Sequence, residues 1–211
     1  MYRSSRFAKI ISFVAGENLL IDVTLFASAI RAYYRSINAK NKRKEVARIL
    51  GLADWFEHYK DKTTGRRVLS ESNRIEHEHE RNTAISLAQM NYDVVFAPAG
   101  LFKRDQKRFD VYLLRDTIVL EADLKCIFSM NPDTIAQRIV GGSDQASRLV
   151  LDIRSNISIK DIIDGLRSGT ARNDLVKEIM LFYKRQFYVF PKTLIWSKRI
   201  FDILKSEKGF Q

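Results

Sequence analysis

The run FDVYLLRDTIVLEADLKCI, residues 109–127, decides how this chain is read. Two β-rich segments, 109–114 and 117–126, flank a polar Arg115-Asp116 step, the pattern of a β-hairpin. Side chains alternate between the faces of a strand. In the second segment Leu120, Ala122, Leu124 and Cys126 therefore point one way, and Glu121, Asp123 and Lys125 the other. A turn centred on Arg115-Asp116 sets Asp110 across from Glu121 on that polar face. Directly opposed like charges destabilise a hairpin. Three carboxylates and a lysine gathered there ask for a compensating partner, and a bound metal ion supplies one. The plain alternative is a solvated strand face on which Lys125 pairs with Asp123 or Glu121. Strongly apolar segments on both sides argue for a central strand instead.

Working outward, residues 70–90 have helical character, with glutamates in the early turns and Ile75, Ala84, Leu87 and Ala88 along them. Glu76, Glu80, Ala84 and Leu87 share one face. Ala84 and Leu87 seek the sheet, so the two glutamates lie at or near a face where a carboxylate is costly unless paired or metal-bound. Water-facing glutamates favoured by the helix dipole are the simpler account. Residues 92–97 form a short β-rich run, and 100–107 a basic loop. Beyond the hairpin, Asn131-Pro132 reads as a helix cap with proline at the first helical position. That helix runs to about Val140, where Gly141-Gly142 is expected to break it. Residues 149–153 read as a buried strand and 159–166 as a helix. Residues 177–190 suit either a hairpin around Lys184-Arg185 or one helix, and 192–204 a closing helix.

The central order is helix, strand, strand, strand, helix, strand. It implies a mixed sheet with helices on its faces, an α/β (α+β) layer architecture. Residues 1–62 look helical and carry no recognisable chemistry. The expected division is a helical N-terminal region, 1–65, and a functional domain, 66–211.

The formal net charge of +11 and pI near 9.8 point to a polyanionic partner. The basic residues are scattered among apolar segments, which sets the charge on a folded surface rather than in a disordered tail. No apolar run approaches the roughly 18 residues of a membrane span, and no signal peptide is read at the N-terminus. The single cysteine, Cys126, excludes an intramolecular disulfide.

Hard divalent cations take oxygen ligands. Held by carboxylates, such a cation suits phosphodiester hydrolysis, with a lysine nearby to position water or stabilise developing charge. His77 and His79, two residues apart, are wrongly spaced for joint ligation from one helix face. Gln145, Ser147 and Arg148 precede the buried strand and stand where they can line a site.

Taken in order, these residues resemble the PD-(D/E)XK nuclease superfamily. A helix glutamate, Glu80 (Glu76 as second choice), precedes Asp110 in one strand and Asp123-Leu124-Lys125 in the next. More narrowly, residues 80–94 and 144–152 resemble the C-terminal toxin domains of contact-dependent growth inhibition systems. The resemblance implies an αβββαβ core and a metal-dependent endonuclease toxin that cuts tRNA or other RNA. It implies catalytic and metal-binding roles for Asp110, Asp123, Glu121 and Glu80, with Lys125 catalytic. The cation would be Mg²⁺ or Mn²⁺, with Zn²⁺ a further candidate. Lys103, Arg104, Lys107 and Arg108 would contact nucleic acid. The resemblance further implies an acidic cognate immunity protein, and action in the bacterial cytoplasm as the C-terminal part of a larger secreted toxin. Two departures stand out. The third strand offers both Glu121 and Asp123, and a basic loop precedes Asp110 instead of a Pro-Asp pair. A DNase toxin of the same fold, a metal-free barnase-like toxin, and a non-enzymatic nucleic-acid-binding or phage-associated protein remain the alternatives.

Overall fold

The alternating run becomes a ten-residue strand, Ile118–Ile127, in the computed structural model, which describes residues 55–71, 77–97, 108–115 and 118–206. Numbered in chain order, the strands are β1 (Trp55–Lys60), β2 (Arg67–Glu71), β3 (Asp93–Phe96), β4 (Val111–Arg115), β5 (Ile118–Ile127), β6 (Arg148–Ile153), β7 (Glu178–Tyr183) and β8 (Gln186–Pro191). The helices are α1 (Glu78–Gln89), α2 (Pro132–Ser143), α3 (Ile159–Ala171), α4 (Lys192–Ile195) and α5 (Arg199–Lys205). Helices and strands are combined, with parallel and antiparallel strand pairs, so the fold is α+β. No helix among the described residues is long and apolar enough to cross a membrane.

The chain divides into two compact units. Of the described residues, the first holds 55–71, 84–97, 112–115 and 118–120. Within it β1 runs antiparallel to β2, and β2 parallel to β3. The buried Asp93 ties β2 to β3, accepting from Arg66 Nη1 at 2.7 Å and from the Arg67 amide at 3.0 Å. Asn91 closes α1 in left-handed backbone, φ 67°. The Tyr92 amide donates to the Leu87 carbonyl and the Asn91 amide to that of Ala88, which is a Schellman cap.

Two expectations change here. Residues 55–60 were expected to continue a helix, and form β1 instead. Trp55, Phe56 and Tyr59 are aromatic residues that favour a pleated surface. The helix expected from residue 70 begins at Glu78, because 67–70 are buried on both faces as β2. Residues 1–54 lie outside the described residues, as does most of the expected N-terminal helical region.

Of the described residues, the second unit holds 77–83, 108–111 and 121–206. β5, β6 and β7 run parallel, and β8 returns antiparallel to β7. The segment 177–190 is therefore the hairpin. Crossovers between parallel strands are right-handed, so a sheet growing in one direction sets α2 and α3 on the same face. They pack tightly. A Cβ on Gly165 would lie 2.7 Å from Ile135 Cβ, and one on Gly169 2.7 Å from Ile139 Cβ. Asn131 caps α2 by accepting from the Asp133 amide at 2.9 Å, with Pro132 at the first position. Contrary to expectation, Gly141-Gly142 does not break that helix, which runs on to Ser143. The closing helix, expected over 192–204, is divided into α4 and α5 by residues 196–198.

Candidate active site

Asp110 stands just before β4, and its carboxylate does the work of a strand. Its amide donates to the Ala122 carbonyl at 3.1 Å, and its Oδ2 accepts the Leu124 amide at 2.7 Å. Asp110 is thus bonded to Ala122 and Leu124, a register offset from the expected place across from Glu121. That fixes the Asp110 carboxylate beside the polar face of β5. On that face Lys125 Nζ lies 2.5 Å from Asp123 Oδ2 and 4.0 Å from Asp110 Oδ2. Asp123 is fully buried, while Lys125 and Asp110 remain partly open to water.

The far side of Asp123 is closed by the end of α2. With its amide nitrogen turned toward the cluster, Gln145 donates to Asp123 Oδ1 at 2.7 Å and to the Arg108 carbonyl at 2.5 Å; that orientation is assigned from the hydrogen-bond network. Gly142 lets the helix approach. A Cβ there would meet Asp123 Oδ2 at 2.6 Å and Leu149 Cδ2 at 2.8 Å. A glycine inside a helix costs about 1 kcal/mol relative to alanine, so Gly142→Ala should stabilise a helix with room to spare. Here it is expected to destabilise the fold by about 1–3 kcal/mol through overpacking. Chemical denaturation decides the sign. A stabilised Gly142→Ala chain would mean that the carboxylate does not sit against the helix.

Burial, and next the charge of Asp110, push the Asp123 carboxyl up to about 8, against the opposing pull of Lys125. Asp123 Oδ2 is buried and makes no well-formed hydrogen bond, although it faces the Lys125 ammonium. Two carboxylate groups with a poorly satisfied oxygen fit a hard divalent cation. Mg²⁺ is commonly held by one or two carboxylates, completed by waters and substrate phosphates. Zn²⁺ prefers nitrogen and sulfur, and the only cysteine faces the other way.

That other face is a separate network. Thr83 of α1 donates to Asp152 Oδ2 at 2.8 Å and lies 3.4 Å from Cys126 Sγ. Arg154 donates to the same Asp152 oxygen through Nε at 2.9 Å and Nη2 at 2.7 Å. Burial holds the Cys126 thiol above its ordinary range, which favours an inert, protonated sulfur.

The placement of the expected site residues is therefore uneven. Asp110, Asp123 and Lys125 come together. Glu121 lies half-buried in β5, on the side where Asp123 and Lys125 emerge. Glu80 is carried by α1, the helix that meets Cys126 and Asp152 on the opposite face through Thr83. Among the described residues no three His, Cys, Asp or Glu side chains gather to hold a metal ion. Arg108 is exposed. Lys103, Arg104, Lys107 and Glu76 lie outside the described residues.

Gln145 was noted in the sequence only as a residue able to line a site. Gly142 was read as a helix breaker. The polar residues 143–145 that follow the two glycines carry no helical signal, so nothing in the local pattern marked the close approach. No family model, curated protein or solved structure matches this chain.

Proposed function

We propose that this chain is a metal-dependent endonuclease with a PD-(D/E)XK-like core, acting on RNA, and on tRNA in preference to DNA. The observation that carries the reading is the Asp110–Asp123–Lys125 cluster, two carboxylates and an ammonium converging beside one buried strand. The chain order α1, β3, β4, β5, α2, β6 supports it as the αβββαβ order of that superfamily. The charge of +11 supports a polyanionic substrate.

Asp110 and Asp123 would hold the cation. When bound, it polarises the scissile phosphate and lowers the pKa of a water. The chain's own groups do the rest. The Leu124 amide fixes Asp110, and the Gln145 amide fixes Asp123 Oδ1, leaving Oδ2 turned toward Lys125. Lys125 Nζ donates hydrogen bonds to the attacking water or to a phosphate oxygen as negative charge builds there.

The preference for tRNA, a toxin role in the bacterial cytoplasm and an acidic immunity protein come from the resemblance to growth-inhibition toxins. Phosphate contacts cannot tell RNA from DNA. An acidic inhibitor would suit this basic chain, because complementary charge speeds encounter and suppresses wrong partners.

One observation favours a second reading, a nucleic-acid-binding module without hydrolysis. Only two carboxylates, not three, converge among the described residues. Incubation with purified tRNA, total RNA and plasmid DNA, with Mg²⁺ or Mn²⁺ and with chelator, separates the two. The expected result is tRNA cleavage that chelator abolishes and added Mg²⁺ or Mn²⁺ restores. Cleavage indifferent to chelator would remove the metal. Binding without cleavage of any substrate would install the second reading.

A further inference from the structure

β7 and β8 meet in a two-residue turn whose centre, Lys184-Arg185, lies in left-handed backbone, φ 49° and 64°. Hairpins of this kind favour Asn-Gly or Asp-Gly, because at positive φ a Cβ crowds the following carbonyl oxygen, a clash that Gly lacks and that Asn or Asp offsets by local hydrogen bonding. Two exposed cations occupy the strained positions instead. Strain kept at a surface turn is a pointer to use.

Register brings more groups alongside. Ile127 pairs with Ile153, and Ile153 with Tyr183. Phe128, Arg154 and Lys184 are thus the next residues on three neighbouring strands, which lie about 4.8 Å apart. Phe128 is 64% exposed and Met130 66%. The Arg154 guanidinium sits 5.9 Å from the Phe128 ring centroid, with its plane set by the two bonds to Asp152. Lys184 Nζ lies 5.2 Å from the Tyr183 ring. An exposed aromatic ring with a guanidinium over one face and further cations on the neighbouring strand ends is the combination that binds single strands: a base stacks on the ring's other face, and phosphates meet the charges.

We propose that this end of the sheet docks an unpaired stretch of nucleic acid. One base stacks on Phe128, and the adjoining phosphates meet Arg154 and the Lys184-Arg185 turn. The proposal rests on the nuclease reading for the class of partner. It concerns residues apart from Asp110, Asp123 and Lys125, although Phe128 is only three residues, about 10 Å, along the strand from Lys125.

The test is binding of the full chain, in chelator, to a labelled 12-nucleotide single-stranded RNA, to the same sequence as a duplex, and to phosphatidylserine vesicles. Phe128→Ala is expected to weaken single-strand binding on the order of tenfold and to leave duplex binding almost unchanged. Lys184→Asn with Arg185→Gly is expected to weaken both RNAs and to lower the salt dependence by about two ions. It should also raise the thermal midpoint, since the new pair fits the turn. Unchanged RNA binding in both variants would overturn the proposal. So would wild-type binding to vesicles but not to RNA. Failure of cleavage alongside variant-sensitive RNA binding would sink hydrolysis and leave this surface standing.

Discussion

Cleavage of tRNA by the Lys125→Ala chain is expected to fall a hundredfold or more. Removing one well-placed charge-stabilising donor costs about 2.7–4 kcal/mol at the transition state. The ammonium has a second task in this fold, since it stands 2.5 Å from a fully buried carboxylate. Its loss leaves Asp123 with Asp110 as its charged neighbour, so the cluster loses both the group that meets the substrate and the one that balances the site. Lys125→Arg should restore little. A planar fork does not reproduce a compact charge in a space bounded by Asp123 and Gly142. Asp123→Ala should match the loss, because a ligand and the partner of Lys125 disappear together. Initial rates at saturating Mg²⁺ and equal folded concentrations give the comparison. Wild-type rates in both Lys125→Ala and Asp123→Ala would move the chemistry elsewhere in the molecule.

The second large effect is on folding itself. Asp123 holds its proton up to about pH 8, against an ordinary value of 3.8, chiefly because burial penalises its charged form. Below about pH 4 the folded and unfolded chains both carry that proton, so the penalty vanishes. Between about pH 4 and 8 the unfolded chain has released it and the folded chain has not, so stability drains away as pH rises. Asp123→Asn is therefore expected to be nearly neutral near pH 4. By pH 8 it should be more stable than the native chain by a few kcal/mol, at about 1.4 kcal/mol per pKa unit. Urea denaturation of the two chains, without divalent cations, at pH 4.5, 6 and 8 measures the divergence. Parallel stability curves would mean that Asp123 is ionised in the folded state and that the cluster is better solvated than its burial implies.

The same carboxylate shows how far the sequence could be read. Alternation along 118–127 was enough to bring Asp123 and Lys125 to one face, because a strand has a period of two and few ways to break it. The Asn131-Pro132 cap was legible for a similar reason: its chemistry is local. Residues 55–60 and 67–71 were not legible as strands. Trp55, Phe56 and Tyr59 also fit a helical spacing, and only pairing with β2 selects between the two. Gly142 misled for a physical reason too. The sequence records a glycine's cost to the helix but not the carboxylate that occupies the space it leaves. Helical periodicity set Glu80 on or near the face of α1 that Ala84 and Leu87 share. Periodicity does not say which face of the sheet that helix covers, and Thr83 brings it against Cys126 and Asp152, opposite Asp123.

The contact between α2 and α3 is built from a repeated pair, Gly165 on Ile135 and Gly169 on Ile139, each spaced by four residues. A fit with that period behaves like a notched rule. Sliding α3 by one turn, about 5.4 Å, would drop a glycine onto an isoleucine again. Interdigitation alone therefore offers more than one seat for the helix. The true seat is chosen by bonds that do not repeat. Tyr183 Oη donates to the Ile157 carbonyl at 2.7 Å, just ahead of α3, and Arg167 donates from within it to the Ile195 and Ser197 carbonyls at 3.1 Å. The glycines set how near the two helices come, and a phenol and a guanidinium fix α3 to segments outside the pair and so set where it stops.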